Sequence, residues 1–434
     1  MPRFGHEFRQ KYYTEQEEDT VLISHGSYGT TPSMVIEEQT KIVKEHEKYP
    51  ERFVIYTSVE KYKQQVQTLA SYLELEDIWK SIVLVTNTST GINTVLRSYP
   101  WKFGTDKILL HSNSFKACKN TVEFLHDYYG LQYEIIPISY PIEDHDVVAK
   151  FKEKLQTGEF TMCMFDTVCS IPGVKMPYEE LTRLCNKYDV LSLIDAAHGA
   201  GLLDLTFIKT CKPTFLVSNL HKWLSVPKSC AMLYVDAKFH KVIQTLPVSS
   251  NYRLQPSQPD MLLIEKFARA GTISYASYLC TEKAIEFRSQ ICGGETAIRK
   301  YQQHLRDAAA LKVIDCWRGI SSDKANLLEN STKSLSPPGI FSIRFPVDKE
   351  KYNVVYTKMV SDQSYYSTLN KKYLNMVILK HKTFAPFFVH NKDIYVRFCV
   401  QMFNEIDDYV IGAKTIRLAL TELFESEFAS LASK

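Results

Sequence analysis

The chain has 434 residues, 45% hydrophobic and 23% charged, enough to bury a large core and to form two domains. Its 52 Lys and Arg against 49 Asp and Glu leave a charge of +3, which gives no special attraction for nucleic acid or membrane. No apolar run approaches bilayer length and Met1–Glu7 is too polar for a secretory leader, so a cytoplasmic protein is expected.

Pro32–Lys48 reads as an amphipathic helix with proline near its start, in a first segment (1–55) expected to pack against the C-terminal part. From about residue 60 to 290 strand-like runs alternate with helices. Ile82–Thr86 precedes a helix from Thr90, and Lys107–His111 a helix over Lys116–Tyr129. Tyr133–Ile138 leads to Val147–Leu155, and Thr161–Asp166 to Tyr178–Tyr188. Val190–Ile194 and Thr214–Val217 are two more short apolar runs. This alternation predicts an α/β domain over 56–295 with a largely parallel sheet. Glu282–Gln290 and Ala297–Val313 read as longer helices leaving it, and Ser321–Pro338 as an exposed loop. The strand-like runs Phe341–Phe345, Met376–Leu379 and Ile394–Val400, with helices at Tyr352–Ser361 and Ile406–Glu425, predict a smaller α+β domain over 296–434. The ten cysteines include no CxxC pair and read as buried reduced thiols, so no metal is expected.

Asp195 and Lys222 lie 27 residues apart, each just past an apolar run. In parallel sheets the ligand crevice lies outside the carboxyl ends of the strands, where both residues fall. A lysine can form a Schiff base with an aldehyde, and a carboxylate can hold a protonated pyridine nitrogen; pyridoxal phosphate needs both. Val85–Asn93 runs from a strand end into a helix, so Thr88 and Ser89 are either phosphate ligands or an unusually rich N-cap. Asp166–Gly173, with Ser170, again puts polar groups at a strand end, or is a plain turn before Pro172. Phe115 could cover a flat ring or fill core. His198 and His221 flank the Asp and the Lys closely enough for hydrogen-bonding roles. Gly271-Thr272 opens a helix and could be only a cap. Arg397, amid apolar residues on a strand, is either reaching solvent or clamping a carboxylate.

Taken together these words resemble the class V aminotransferase family of fold-type I pyridoxal phosphate enzymes, over essentially the whole chain. Within it the chain looks like the isopenicillin-N epimerase-like proteins of fungi, a group that includes hercynylcysteine sulfoxide lyase. The residues that carry the likeness are His25-Gly26-Ser27-Tyr28-Gly29, Gly91–Ser98, Asp195-Ala196-Ala197-His198-Gly199, His221-Lys222-Trp223-Leu224, Gly271-Thr272 and Thr383–His390. The resemblance implies a large domain with a mainly parallel seven-stranded sheet plus a smaller α+β domain, and pyridoxal 5'-phosphate as cofactor. It implies Lys222 as the Schiff-base lysine and Cα base, and Asp195 at the pyridine nitrogen. Phe115 would stack on the ring and His198 would sit near its phenolic oxygen. Thr88, Ser89, His221 and, less directly, Asn219 match phosphate positions, and Ser170 joins the cofactor set. Thr272 matches a position that reaches the phosphate of a partner subunit, which implies a homodimer. Arg397 matches the arginine that binds the substrate α-carboxylate. Three departures stand out: Ser24 replaces the usual Asn, Phe115 a Tyr or His, and Arg269, Ala270 and Ser274 alter the flanks of Gly271-Thr272.

The expected activity is cleavage of a C–S bond in a cysteine conjugate or its sulfoxide by β-elimination, with a small-molecule amino acid as substrate. The alternative is an epimerase, which needs a second acid/base on the other face of Cα; His25 and Tyr28 are the candidates near the substrate. A cysteine desulfurase fits less well, because no cysteine lies between Cys316 and Cys399, ahead of Arg397. A cofactor-free binding protein fits least, because both Lys222 and Asp195 are present.

Overall fold

Seven short, largely apolar runs build the main sheet in a computed structural model that describes residues 3–432. They are Ile82–Val85 (β1), Lys107–His111 (β2), Gln132–Ile136 (β3), Met162–Asp166 (β4), Leu191–Asp195 (β5), Phe215–Asn219 (β6) and Ala231–Val235 (β7). Their order across the sheet is β1-β7-β6-β5-β4-β2-β3. The pairs β2–β3, β2–β4, β4–β5 and β5–β6 are parallel, and β7 runs antiparallel to both β6 and β1. Six strands therefore point one way. Every residue of β1, β4, β6 and β7 is buried, as expected of strands covered on both faces. The crossover helices Thr88–Ser98, Lys116–Tyr129, Asp144–Leu155 and Tyr178–Lys187 supply that cover.

This topology gathers chemistry along one edge. His111, Asp166, Asp195 and Asn219 are each the last residue of a strand, and four of the six co-directional strands thus end in a polar side chain.

A second core lies around the antiparallel sheet Ile340–Arg344 (β8), Phe387–His390 (β9) and Asp393–Cys399 (β10), in the order β8-β10-β9. Phe341 and Phe398 stack there with centroids 5.1 Å apart, and the Trp317 indole donates to the Ala413 carbonyl at 2.9 Å. The helices Gly294–Cys316 and Ile406–Ala432 pack over it. The first residues touch both cores. Gly5 N–H donates to Met402 O (2.9 Å) and Cys399 N–H to Ile23 O (2.7 Å), while Val35 and Ile42 of the helix Ser33–Lys48 join the first core.

Two readings from the sequence need correction, and two strands were not read. Gly271-Thr272 opens no helix: both residues lie in a bend, and the next helical turn starts at Tyr278. Met376–Leu379 is not a strand: Asn375–Lys380 is a π-helical turn that finishes the helix Gln363–Leu374. Only Val377 of that run is buried, with Ile378 and Leu379 exposed, so its apolar character reflects no sheet face. The edge strand of that region is instead Phe387–His390, just past Pro386. Ala231–Val235 was not anticipated, since nothing local signals that a fully apolar run of five residues will return antiparallel between β6 and β1. Nine of the ten cysteines are buried and all are free thiols. Among the described residues no helix is long and apolar enough to cross a membrane.

Candidate active site

A cavity of about 150 Å³ opens at the carboxyl edge of the sheet. Thr88, Ser89, Phe115, Ser170, Asp195, His198, Asn219 and Lys222 all line it, joined by Ser27, Asn87 and Asp166.

One end is built to take an anion. Asn87 caps the helix Thr88–Ser98 by accepting from Thr90 N–H (2.8 Å), and Asn219 Oδ1 accepts from Thr88 N–H (2.9 Å). Asn219 thus braces the helix start from β6. The Ser89 N–H has no acceptor among the described residues, and the Thr88 hydroxyl is buried with no partner. A helix N-terminus with free donors attracts a phosphate, and an orphaned buried hydroxyl costs about 1–3 kcal/mol until something bonds it. The donor set fits a phosphate group.

Asp195 sits in the middle of the cavity wall. Its Oδ1 accepts from Ala197 N–H (2.9 Å) and its Oδ2 from the Cys118 thiol (3.3 Å). Burial, followed by the charge of Asp166 on the adjacent strand, raises its pKa to about 6. That value leaves a carboxylate at neutral pH, with acceptor capacity for a ring N–H.

Lys222 lies in the single helical turn Leu220–Trp223 that follows β6. Its Nζ is 3.3 Å from His198 Nε2, and the Trp223 indole donates to His198 Nδ1 at 3.1 Å. An indole N–H can only donate, so Nδ1 is the acceptor and the neutral imidazole carries its proton on Nε2. Burial holds His198 well below the usual histidine range, which keeps the ring neutral. When the amine is unprotonated, the Nε2–H group therefore faces its lone pair. Burial and then the charge of Arg397 lower the Lys222 pKa to about 8, which enlarges the unprotonated, nucleophilic fraction near neutral pH. Below the turn, wholly buried Arg288 donates to the carbonyls of Trp223 (2.5 Å) and Gly201 (3.0 Å), and it pairs through Nε and Nη2 with Glu295 (2.5 and 2.8 Å).

Behind Ser27 and Ser170, which line the cavity, stands a buried cation. Arg397 on β10 is 3% exposed, and its Nη1 donates to Ser170 O (2.6 Å) while Nη2 donates to Ser27 Oγ (2.7 Å). Its Nε has no partner, and no carboxylate pairs with it among the described residues. A buried guanidinium without a counter-ion is costly, and a ligand carboxylate relieves that cost bidentately.

Five anticipated residues are not among those lining this cavity; one is Arg397, which reaches it through Ser27 and Ser170. His221 directs Nδ1 to Cys230 O at 2.8 Å and does not line it. His25 is buried with Nε2 bonded to the Lys222 carbonyl, and burial pushes its pKa down to about 3. Tyr28 is exposed and faces a separate apolar cavity that His25 also lines. Thr272 is exposed and lines a different cavity with Val43, His46 and Phe53. Conversely, Ser27, Trp223 and the pair His111–Asp166 were not singled out for roles. Ser27 and Trp223 stand inside two of the quoted motifs, and Asp166 ends a strand, so that signal was present; nothing in the sequence marks His111.

The aminotransferase class-V family model matches residues 30–333. The hercynylcysteine sulfoxide lyase of Schizosaccharomyces pombe is 28% identical over 300 residues, 69% of this chain and 75% of that protein. The L-cysteine desulfhydrase-like protein lolT1 of Epichloe uncinata is 26% identical over 376 residues, 80% of this chain and 81% of that protein. Isopenicillin N epimerase of Streptomyces clavuligerus is 21% identical over 54% of this chain and 60% of its own length. In fold the chain is similar to the cystine C–S lyase C-DES, with a TM-score of 0.70 at 16% identity, covering 93% of this chain and 98% of that one. A C-DES variant with glycine covalently linked to its pyridoxal phosphate superposes with a TM-score of 0.69 at 16% identity, over 95% of this chain and 98% of that one. The chain belongs to the class-V aminotransferase family, with the fold of type I pyridoxal phosphate enzymes and pyridoxal 5'-phosphate as its cofactor.

Proposed function

We propose that this enzyme is a lyase that breaks the C–S bond of a cysteine conjugate or its sulfoxide by β-elimination. The observation that carries the amino-acid part of this reading is Arg397: buried, unpaired by any described carboxylate, and close enough to Lys222 to lower its pKa. A substrate with an α-carboxylate and an α-amino group satisfies that end of the cavity and the lysine end together.

Bound pyridoxal phosphate supplies an aldehyde that condenses with amines and a protonated ring that withdraws electrons from Cα. The chain's own groups hold and steer it. Thr88, Ser89 and the helix N-terminus would take the phosphate, Asp195 the ring N–H, and Phe115, whose ring is partly exposed at the cavity, one ring face. Arg397 orients the substrate carboxylate. Lys222 takes the proton from Cα; the C–H electron pair becomes the Cα=Cβ bond, and the Cβ–S pair leaves with sulfur. His198, through Nε2–H, orients the lysine lone pair. The released aminoacrylate hydrolyses to pyruvate and ammonia.

Elimination is supported over two alternatives. An epimerase needs a second acid/base, yet His25 is committed to the Lys222 carbonyl and Tyr28 faces another cavity. A desulfurase needs a thiol on a mobile loop, whereas Cys399 is buried on β10 against Gly26. The relatives named lyase and desulfhydrase agree with this choice. The test is to incubate purified enzyme with a panel of cysteine conjugates and sulfoxides and to follow pyruvate, ammonia and Cα configuration. Pyruvate release is expected; inversion of an amino acid without pyruvate establishes the epimerase instead.

The same reading includes a homodimer in which Thr272, which does not line its own chain's cavity, completes the partner's phosphate site. Mixing Lys222→Ala with Thr272→Ala subunits should restore activity, because one site of the mixed dimer then carries neither lesion. A fully active monomer in light scattering refutes it.

A further inference from the structure

Beside Asp195 in the cavity wall lies a second buried carboxylate for which the reaction has no evident use. Asp166 ends β4 directly opposite Asp195 in the β4–β5 register, and both are 3% exposed. Two carboxylates so placed cannot both ionise freely, since each disfavours the charge of the other. His111, the last residue of β2, is wholly buried and holds its Nε2 2.7 Å from Asp166 Oδ2. Its Nδ1 has no partner, so the ring's one hydrogen bond is to that carboxylate.

We propose that His111 and Asp166 are a positioning pair for Asp195: they keep one proton between them, so the negative charge facing the cofactor ring resides on Asp195. Whether the proton sits on the carboxylate or on the imidazole, the pair is neutral and carries one hydrogen bond along its axis. Asp195 is then left with its two donors, Ala197 N–H and the Cys118 thiol, beside a pair that carries no net charge. Without His111 the two carboxylates compete for a single proton, and Asp195 loses its charge part of the time.

The other titratable groups around the cluster are Lys222, Cys118, Cys169 and Tyr140, with Asp144 beyond Tyr140. Burial pushes both thiols and the phenol up, which keeps them neutral at working pH. Lys222 bears on both carboxylates and is common to every variant compared below.

The inference rests on Asp195 being the partner of the ring nitrogen, and it is independent of the sulfur substrate. The experiment measures the affinity of apoprotein for pyridoxal phosphate by tryptophan quenching between pH 5 and 9. Wild type, His111→Gln, His111→Gln/Asp166→Asn and Asp195→Asn are compared. Expected is an acid limb that moves up by about one pH unit in His111→Gln, about tenfold weaker binding at the wild-type midpoint. Adding Asp166→Asn should bring the limb back, because the competing carboxylate is gone; a merely structural role would make the double variant worse. An unmoved limb in the single variant, or an unrescued double variant, overturns the proposal. Should His111→Gln not fold, Asp166→Asn alone serves: its limb should lie at or below that of wild type, and an upward move overturns the idea. If Asp195→Asn keeps the wild-type limb, the assignment of Asp195 to the ring fails, and this inference with it.

Discussion

Replacing Arg397 by lysine tests the carboxylate clamp most directly. The guanidinium is held at two corners, by Ser170 O at 2.6 Å and Ser27 Oγ at 2.7 Å, and keeps Nε without a partner. A lysine retains the charge but presents a point in place of a fork, so it cannot keep both serine contacts and still bond a carboxylate with two parallel N–H groups. Loss of one charge-assisted hydrogen bond costs about 1.5–3 kcal/mol, which is about one to two decades in kcat/KM. Most of that should appear as a higher KM, because the carboxylate is gripped in ground and transition states alike. Steady-state ammonia release, the product common to both substrates, provides the assay, with a cysteine conjugate run beside the decarboxylated cysteamine analogue. Wild type should favour the carboxylate-bearing substrate strongly, and Arg397→Lys should lose most of that preference. A variant that keeps wild-type KM, or keeps the full preference, refutes the reasoning.

Asp195→Asn should retain part of its cofactor but lose most activity, since a neutral partner leaves the ring a poorer electron sink; cofactor content and turnover measured on one preparation check this. Lys222 should be the residue that borohydride joins to pyridoxyl, as peptide mapping would show. The rate at which apoprotein captures pyridoxal phosphate should rise with pH and level off near 8, because burial and Arg397 bring the Lys222 pKa down to about 8 and the amine is protonated below that. A rate still climbing in proportion to hydroxide above pH 9 contradicts the shift. Gly29→Ala should lower Tm and cofactor retention: Gly29 has φ +75°, where a side chain costs about 1–2 kcal/mol, and an added Cβ would strike the His221 carbonyl oxygen beside Lys222.

The sheet and the lysine–aspartate pair were legible because both depend on local pattern. A parallel strand buried on both faces is a short apolar run, and a strand-end position follows from where the run stops; Asp195 and Asn219 needed no more than that. Thr88 and Ser89 were legible as a capped helix start for the same reason. Partnerships across the chain were not. Ser27 meets Arg397 over 370 residues, and no spacing rule connects them. His111 looks like the polar tail of an apolar strand, and only the β2–β4 adjacency gives it Asp166. The failures in the C-terminal part share one cause. Apolar runs of four, such as Met376–Leu379, suit a helix end as well as an edge strand, and the decision there comes from which neighbour packs on them.

Arg288 couples parts of the molecule that the sheet alone would leave independent. It grips the carbonyl at the exit of the lysine turn, and its charge is answered by Glu295 in the first turn of the helix Gly294–Cys316. That helix carries Leu305, Ala309 and Val313 into the second core, the same core whose strand β10 supplies Arg397. The amine and the guanidinium, which grasp opposite ends of one small amino acid, are thus mounted on a common chassis. Their separation is a gauge length set by how this one helix is seated between the two cores.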